Sequence, residues 1–279
     1  MFQENVSLAE YTSFKIGGKA KYFFIANNKE DLIKAIKEAK NLKIFILGGG
    51  TNVLALDEGY DGLVIKINFK NYSLDKIEAG ITWGELVGWS LENSLTGLEW
   101  AAGLPGNIGG AVYGNSQAFH IKTSDIIKEV EVFNTKDLTI KTFSKEQCQF
   151  SEKDSIFKKN KHLIILSVVL RISKGDKKEI EKRIKKNILF RKEKQPLEYA
   201  SAGSIFINNS GKPSSYLIDK AGLKGKRVGN AQVSEKHAGF IINLGEASSK
   251  DVLELIDIVK KEVKDKFNID LIEEIQIIK

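Results

Sequence analysis

The chain has 279 residues, 42% of them hydrophobic, and 43 Lys and Arg against 36 Asp and Glu give a formal net charge of +7. That apolar content supports a substantial core divided into two or three lobes. No run reaches the roughly 18 apolar residues that span a bilayer, and MFQENVSLAEY lacks the basic-then-apolar layout of a secretion signal, so a cytoplasmic protein without membrane contact is expected.

Asn28 caps a predicted helix over residues 29–40, where Leu32, Ile33, Ala35, Ile36 and Ala39 recur at helical spacing. The apolar run 44–47 reads as a short buried strand and runs into GGGTN at 48–52, a candidate anion-binding turn. A strand follows at 62–67. Thr82 and Glu85 form a capping box that opens a helix to about residue 93. Directly after it, residues 97–119 hold Gly97, Gly103, Gly106, Gly109, Gly110 and Gly114 among apolar residues. Glycine tolerates positive φ, so this stretch can turn its amide N–H groups toward a bound anion; a tightly turned loop packed for its own sake reads equally well.

Alternating residues predict strands at 125–133 and 138–143, and 163–172 reads as a buried strand, so the stretch forms an α+β lobe. A polar linker at 173–178 leads into a helix that must end near Gln195-Pro196, because proline disfavours helix in the residue before it. Residues 177–194 are rich in lysine, but Phe190 is the only aromatic among them, and nucleic-acid binding calls for interleaved aromatics. SAGSIFINN at 201–209 is a second constellation. A capping box at Ser248 and Asp251 starts a closing helix over about 250–267, and 271–278 reads as a final strand. The single Cys148 reads as a buried small hydrophobe. With His120, His162 and His237 showing no ligand spacing, no metal site is expected.

Neither glycine cluster is a Rossmann fingerprint, since valine stands at position 53 and no strand leads into 103–114, and no P-loop is present. Two such turns suit a large cofactor held by backbone amides, and a flavin dinucleotide fits.

Seven blocks in order then resemble the UDP-N-acetylenolpyruvoylglucosamine reductase family, in its compact subclass. They are YTSFKIGGKA, LGGGTNVL, GLEWAAGLPGNIGGAVYGN, CQFSEKDSIFK, QPLEYASAGSIFINN, AGLKGKRVGNAQVSEKHAGFIIN and DLIEEIQII. The resemblance implies an α+β protein: a bilobal FAD-binding region of vanillyl-alcohol-oxidase type over 1–172, with lobes of about 1–67 and 68–172, then an α+β substrate-binding domain over 173–279. It implies FAD as cofactor and NADPH as co-substrate. The expected partner is a UDP-sugar, without nucleic acid, and the expected state is a monomer. Flavin contacts are expected from Gly48, Gly49, Gly50, Thr51 and Asn52, and from Gly103, Pro105, Gly106, Gly109, Gly110 and Ala111.

By the same resemblance, Ser204 matches the proton donor to the α-carbon of the enolpyruvyl group, and Glu274 the carboxyl group that helps stabilise the intermediate. A serine after glycine also reads as a turn, and Glu274 as a solvated residue beside Glu273; the family's proline-then-glutamate pattern favours Glu274. Where the family carries Tyr-Arg, this chain has Glu152-Lys153. Lys153 keeps the charge that would face the substrate carboxylate but loses the bidentate fork, and Glu152 adds an anion nearby. Arg191, Lys194 and Asn208 match positions that handle flavin or the substrate's diphosphate and sugar. Arg191 reads equally well as helix-surface charge, and Lys194 before Gln-Pro is the better placed for a diphosphate. Gln232 and His237 share a block in which His237 reads as a structural histidine, and Asn208-Asn209 replaces the family's Asn-Pro. The competing readings are another FAD-dependent oxidoreductase of this fold, or a basic nucleotide-binding protein without redox activity.

Overall fold

The computed structural model describes residues 2–208 and 211–279. Helices and strands are mixed along the chain in an α+β pattern, and two compact units form from discontinuous segments. The first comprises Met1–Phe23, Gly50–Val64 and Arg191–Lys279; the second comprises Phe24–Gly49 and Ile65–Phe190.

In the first unit, Gln3–Ser7 runs antiparallel to the start of Lys19–Ala26, with Gln3 opposite Phe23 and Ser7 opposite Lys19. A four-stranded antiparallel sheet follows the order Ala200–Ser204, Phe240–Asn243, Ala231–Val233, Arg227–Val228. Helix Ser249–Phe267 buries Val252, Leu255, Ile256, Val259 and Val263, a 3.6-residue stripe that joins Ile205, Phe206, Val233 and Ile241 in one core. Burying each such side chain is worth about 1.5–3 kcal/mol. The helix starts at the expected capping box, in which Ser248 and Asp251 each accept from the other's backbone N–H at 3.0 Å. The last strand, Gln276–Ile278, pairs parallel with Val53–Ala55. It is shorter than the 271–278 expected, because the residues before it turn their backbone to another partner: Ile207 N–H donates to Ile272 O at 2.9 Å and Glu274 N–H donates to Ile205 O at 2.7 Å.

The second unit is built on an antiparallel sheet in the order Thr139–Ser144, Ile127–Asn134, Leu163–Leu170, Ile77–Glu78. Leu163–Leu170 is buried at every position but Val169 and forms the sheet's centre, as its apolar run predicts. The strand expected from 125 starts at Ile127, since Asp125 accepts from the Lys122 N–H and closes the helical turn Thr123–Ile126 first. Helices Lys29–Ala39 and Trp83–Glu92 begin at Asn28 and at the Thr82/Glu85 box as read from the sequence. Glu131 is held by Lys29 Nζ at 2.5 Å and Ser167 Oγ at 2.7 Å, with Lys76 Nζ at 3.2 Å, so its partly buried charge is compensated. Helix Lys177–Lys194 ends one residue before Gln195-Pro196.

Candidate active site

The turn after strand Ile44–Leu47 is glycine-rich because the backbone around it leaves no room for side chains. A Cβ on Gly48 would lie 2.7 Å from Asn107 Oδ1, and one on Gly49 would lie 2.6 Å from Gly106 Cα. Gly50 sits at φ +67, where a Cβ would stand 2.0 Å from the Tyr11 carbonyl oxygen. The N–H groups of Gly49, Gly50, Thr51 and Asn52 meet no protein acceptor among the described residues. Successive amides left unused in a turn of this kind make a concavity suited to an anion. On the carbonyl side, Lys66 Nζ donates to Gly48 O at 3.2 Å, and burial lowers that lysine's pKa.

The second glycine segment behaves differently. Gly103 and Gly106 adopt φ +74 and +91, which place them in turns open only to glycine at low cost. At the start of helix Ile108–Tyr113, however, the amides are already spent: Ile108 N–H donates to Ile81 O at 2.8 Å, Gly109 to Ala79 O at 2.9 Å, Gly110 to Asn107 Oδ1 at 3.0 Å and Ala111 to Asn107 O at 3.0 Å. Gly109, Gly110 and Ala111 therefore have no amide to offer a ligand. Gly109 allows close approach instead, since a Cβ there would sit 2.9 Å from Ala79 Cβ.

Within the first unit, the backbone at Glu274 pairs with the residue that follows Ser204. Ser204 ends strand Ala200–Ser204 after an irregularity in register that spans Gly203, which holds φ +75 with nothing within 4 Å of a Cβ. The next peptide, Ile205, donates to Gly239 O at 2.9 Å and accepts from the Glu274 N–H at 2.7 Å. Asn52 Nδ2 donates to Glu274 O at 3.1 Å, and Gln276 N–H donates to Asn52 O at 3.0 Å. The neighbouring Glu273 is engaged elsewhere: its Oε1 pairs with Lys260 Nζ at 2.8 Å. In the backbone register Glu273 bridges to Phe206, and the Glu274 N–H donates to Ile205 O. Ser13, which sequence reasoning gave no role, donates its hydroxyl to Ser201 O at 2.7 Å and its N–H to Gly50 O at 2.9 Å. It fastens the GGGTN turn to the strand that carries Ser204.

Lys153 lies in the second unit, in a tight turn between Ser151 and Asp154. Glu152 accepts from Gln117 Nε2 at 2.5 Å and pairs with Lys122 Nζ at 2.9 Å. Burial raises the pKa of its carboxyl, but the hydrogen bonds from Lys122 and Gln117 outweigh this and hold it below the usual carboxylate range. Asn115, at the end of the glycine segment, donates to Ser151 O at 2.8 Å and accepts from the Ser124 N–H at 3.0 Å. Asn115 was the other residue missed. Its block was visible, but its partners lie 9 and 36 positions away.

Arg191 is buried at 6% exposure, so it is not helix-surface charge, and burial lowers its pKa. Lys194, half exposed, pairs with its neighbour Glu193 at 2.6 Å. Asn208 Oδ1 accepts from the Ser214 N–H at 2.8 Å, a bond that supports the start of helix Ser214–Lys220; Asn209 lies outside the described residues. Gln232 Nε2 donates to Gly225 O at 3.2 Å. His237 Nδ1 accepts from the Gly239 N–H at 3.2 Å, its ring stands edge-on to Phe240, and burial lowers its pKa, in keeping with a structural histidine. Cys148 is fully buried, which pushes its thiol up to about 12. No helix among the described residues is long and apolar enough to cross a membrane.

Comparison with known proteins gives concordant matches along the whole chain. A family model described as FAD binding domain matches residues 20–144, and one described as UDP-N-acetylenolpyruvoylglucosamine reductase, C-terminal domain, matches residues 195–278. The UDP-N-acetylenolpyruvoylglucosamine reductase of Clostridium novyi is 42% identical over 99% of this chain and 92% of that protein. That of Fervidobacterium nodosum is 41% identical over 98% and 90%. Among solved structures, UDP-N-acetylenolpyruvylglucosamine reductase (MurB) from Thermus caldophilus matches with a TM-score of 0.87 at 33% identity, covering 99% of each chain.

Proposed function

The chain belongs to the UDP-N-acetylenolpyruvoylglucosamine reductase family, and from that footing we infer that it is an FAD-dependent oxidoreductase that uses NADPH to reduce the enolpyruvyl ether of UDP-N-acetylglucosamine enolpyruvate to UDP-N-acetylmuramate, a peptidoglycan precursor. The residues at hand fit the cofactor. A diphosphate needs several converging donors and close backbone approach, and the four unspent amides of Gly49 to Asn52, in a turn that opens with three glycines, suit both. Gly48, Gly103, Pro105 and Gly106 complete the set that would hold FAD. Gly109, Gly110 and Ala111 would contribute surface rather than amides. FAD, when bound, supplies the two-electron transfer between the nicotinamide and the carbon–carbon double bond.

The chain's own groups meet the demands of that reaction. Hydride addition at the β-carbon moves negative charge onto the substrate carboxylate, so a cation held there lowers the barrier; the Lys153 ammonium has this role. The α-carbon then needs a proton, which the Ser204 hydroxyl delivers, and the Glu274 carboxyl stabilises the enolate-like species. Arg191, Lys194 and Asn208 bind the substrate's diphosphate and sugar, and its burial gives Arg191 the greater weight of the two cations. Flavin binding is assigned to residues 1–172 and substrate binding to 173–279. The protein acts in the cytoplasm as a monomer, in cell-wall synthesis and hence in cell shape and division.

One observation carries this reading: the Glu274 N–H donates to the carbonyl of Ile205, the residue after Ser204, at 2.7 Å, so the two residues assigned to the substrate's α-carbon lie on neighbouring backbone. Incubation of the purified protein with UDP-N-acetylglucosamine enolpyruvate and NADPH should give a product heavier by two hydrogens, read by mass spectrometry. An unchanged substrate mass, with flavin bound and NADPH present, overturns the reading.

A further inference from the structure

The turn that carries Lys153 is held more firmly than a half-exposed loop requires. Ser151 and Asp154 exchange backbone hydrogen bonds at 3.0 and 3.4 Å, which leaves Glu152 and Lys153 as a two-residue loop. Lys153 sits at φ +53. A side-chain-bearing residue is strained in that conformation, which glycine or asparagine takes more readily. Strain of this kind persists where the surroundings over-determine it.

Here each of the four residues has its own holder. Asn115 Nδ2 binds the Ser151 carbonyl at 2.8 Å, Lys158 Nζ binds the Lys153 carbonyl at 2.6 Å, and Lys159 Nζ pairs with Asp154 at 3.0 Å. Glu152 is held from both strands of a hairpin: Gln117 and Lys122, which grip its two carboxylate oxygens at 2.5 and 2.9 Å, stand directly opposite each other in the ladder of Gln117–Ala118 with Ile121–Lys122. The hairpin itself closes through Phe119 and His120 at φ +50 and +64, and the Phe119 ring rests edge-on against Phe190 at 5.4 Å.

We propose that Glu152 is a positioning residue for the reduction: clamped by Gln117 and Lys122, it fixes the turn so that the Lys153 ammonium stays aimed at the substrate carboxylate. The proposal rests on the reading of Lys153 as that cation. An arginine finds a carboxylate through its rigid fork, whereas an ammonium on a flexible stem has no such geometry and depends on the backbone that presents it.

The test uses the flavin-loaded enzyme and the variants Glu152→Gln, Lys122→Met, the double variant and Lys153→Ala. Misplacing a group by about 1 Å can cost up to about 100-fold. Each single clamp variant should lower kcat for the enolpyruvyl substrate about tenfold. The double variant should be no slower than either single, because the two residues act as one unit. Reduction of the bound flavin by NADPH without that substrate should stay within twofold of the parent, and Tm should not move. Clamp variants within twofold of the parent, beside a Lys153→Ala variant slowed about 100-fold, overturn the positioning role and leave Lys153 in place. A Lys153→Ala variant at parental speed removes the reading beneath it. Equal losses in both half-reactions together with a lower Tm make the clamp merely structural and overturn the proposal.

Discussion

Two glycine clusters that look alike in sequence do opposite things with their amides. In the turn at 48–52, glycine removes side chains so that Gly49, Gly50, Thr51 and Asn52 keep their N–H groups unspent. At the start of helix Ile108–Tyr113, glycine lets the backbone come so near Ala79 and Asn107 that every first-turn amide finds a protein acceptor. A glycine count therefore locates close approach without saying what approaches. Accounting for each donor tells the two apart.

Substitutions should separate these roles, and the largest effect falls on the open turn. Gly50→Ala puts a Cβ 2.0 Å from Tyr11 O at φ +67. The positive φ and the clash together should cost about 3 kcal/mol or more, and the purified protein should have lost its flavin absorbance; yellow protein with parental Tm would contradict the assignment. Gly109→Ala meets the Ala79 Cβ at 2.9 Å. It should cost about 1–3 kcal/mol by overpacking, yet keep one flavin per chain, and loss of flavin from a folded variant would show that the helix start does bind the cofactor. Asn107→Ala removes the cap on Gly110 and should cost about 1 kcal/mol in denaturant unfolding. Gly88→Ala is the control. It lies exposed inside helix Trp83–Glu92 with nothing within 4 Å, so alanine should stabilise the protein by about 0.4–1 kcal/mol, raising Tm without touching activity.

Local chemistry was legible in the sequence where cause and effect lie within a turn of each other. Asn28, the Thr82/Glu85 pair and the Ser248/Asp251 pair each start the helix they announce, because a cap is decided by residues three positions apart. The buried strand Leu163–Leu170 was visible because an apolar run at a sheet's centre needs no alternation. Glu273 and Glu274 stand side by side in the sequence, and neither the Lys260 ion pair of the first nor the Ile205 carbonyl that takes the N–H of the second has a local signal. Asn52 was read as a cofactor contact, and the use of its side chain on a carbonyl 222 positions away has no local signal. Arg191 sits in a basic stretch whose other members are largely exposed, so its burial was hidden by its neighbours. The Glu152 anion, out of place beside a lysine proposed to face a carboxylate, has partners that only the fold reveals, Gln117 and Lys122.

The parallel pairing of Val53–Ala55 with Gln276–Ile278 has a bearing on biogenesis. Some 220 intervening positions must leave the ribosome before those two strands can meet, and closing a loop of that size carries an entropic toll of several kcal/mol that only later packing can offset. Tyr11, Gly106 and Asn107 can thus crowd the glycines of the turn early, while the bonds that Asn52 makes to Glu274 and Gln276 form only after those strands meet. A nascent polypeptide could capture its cofactor well before it could turn over.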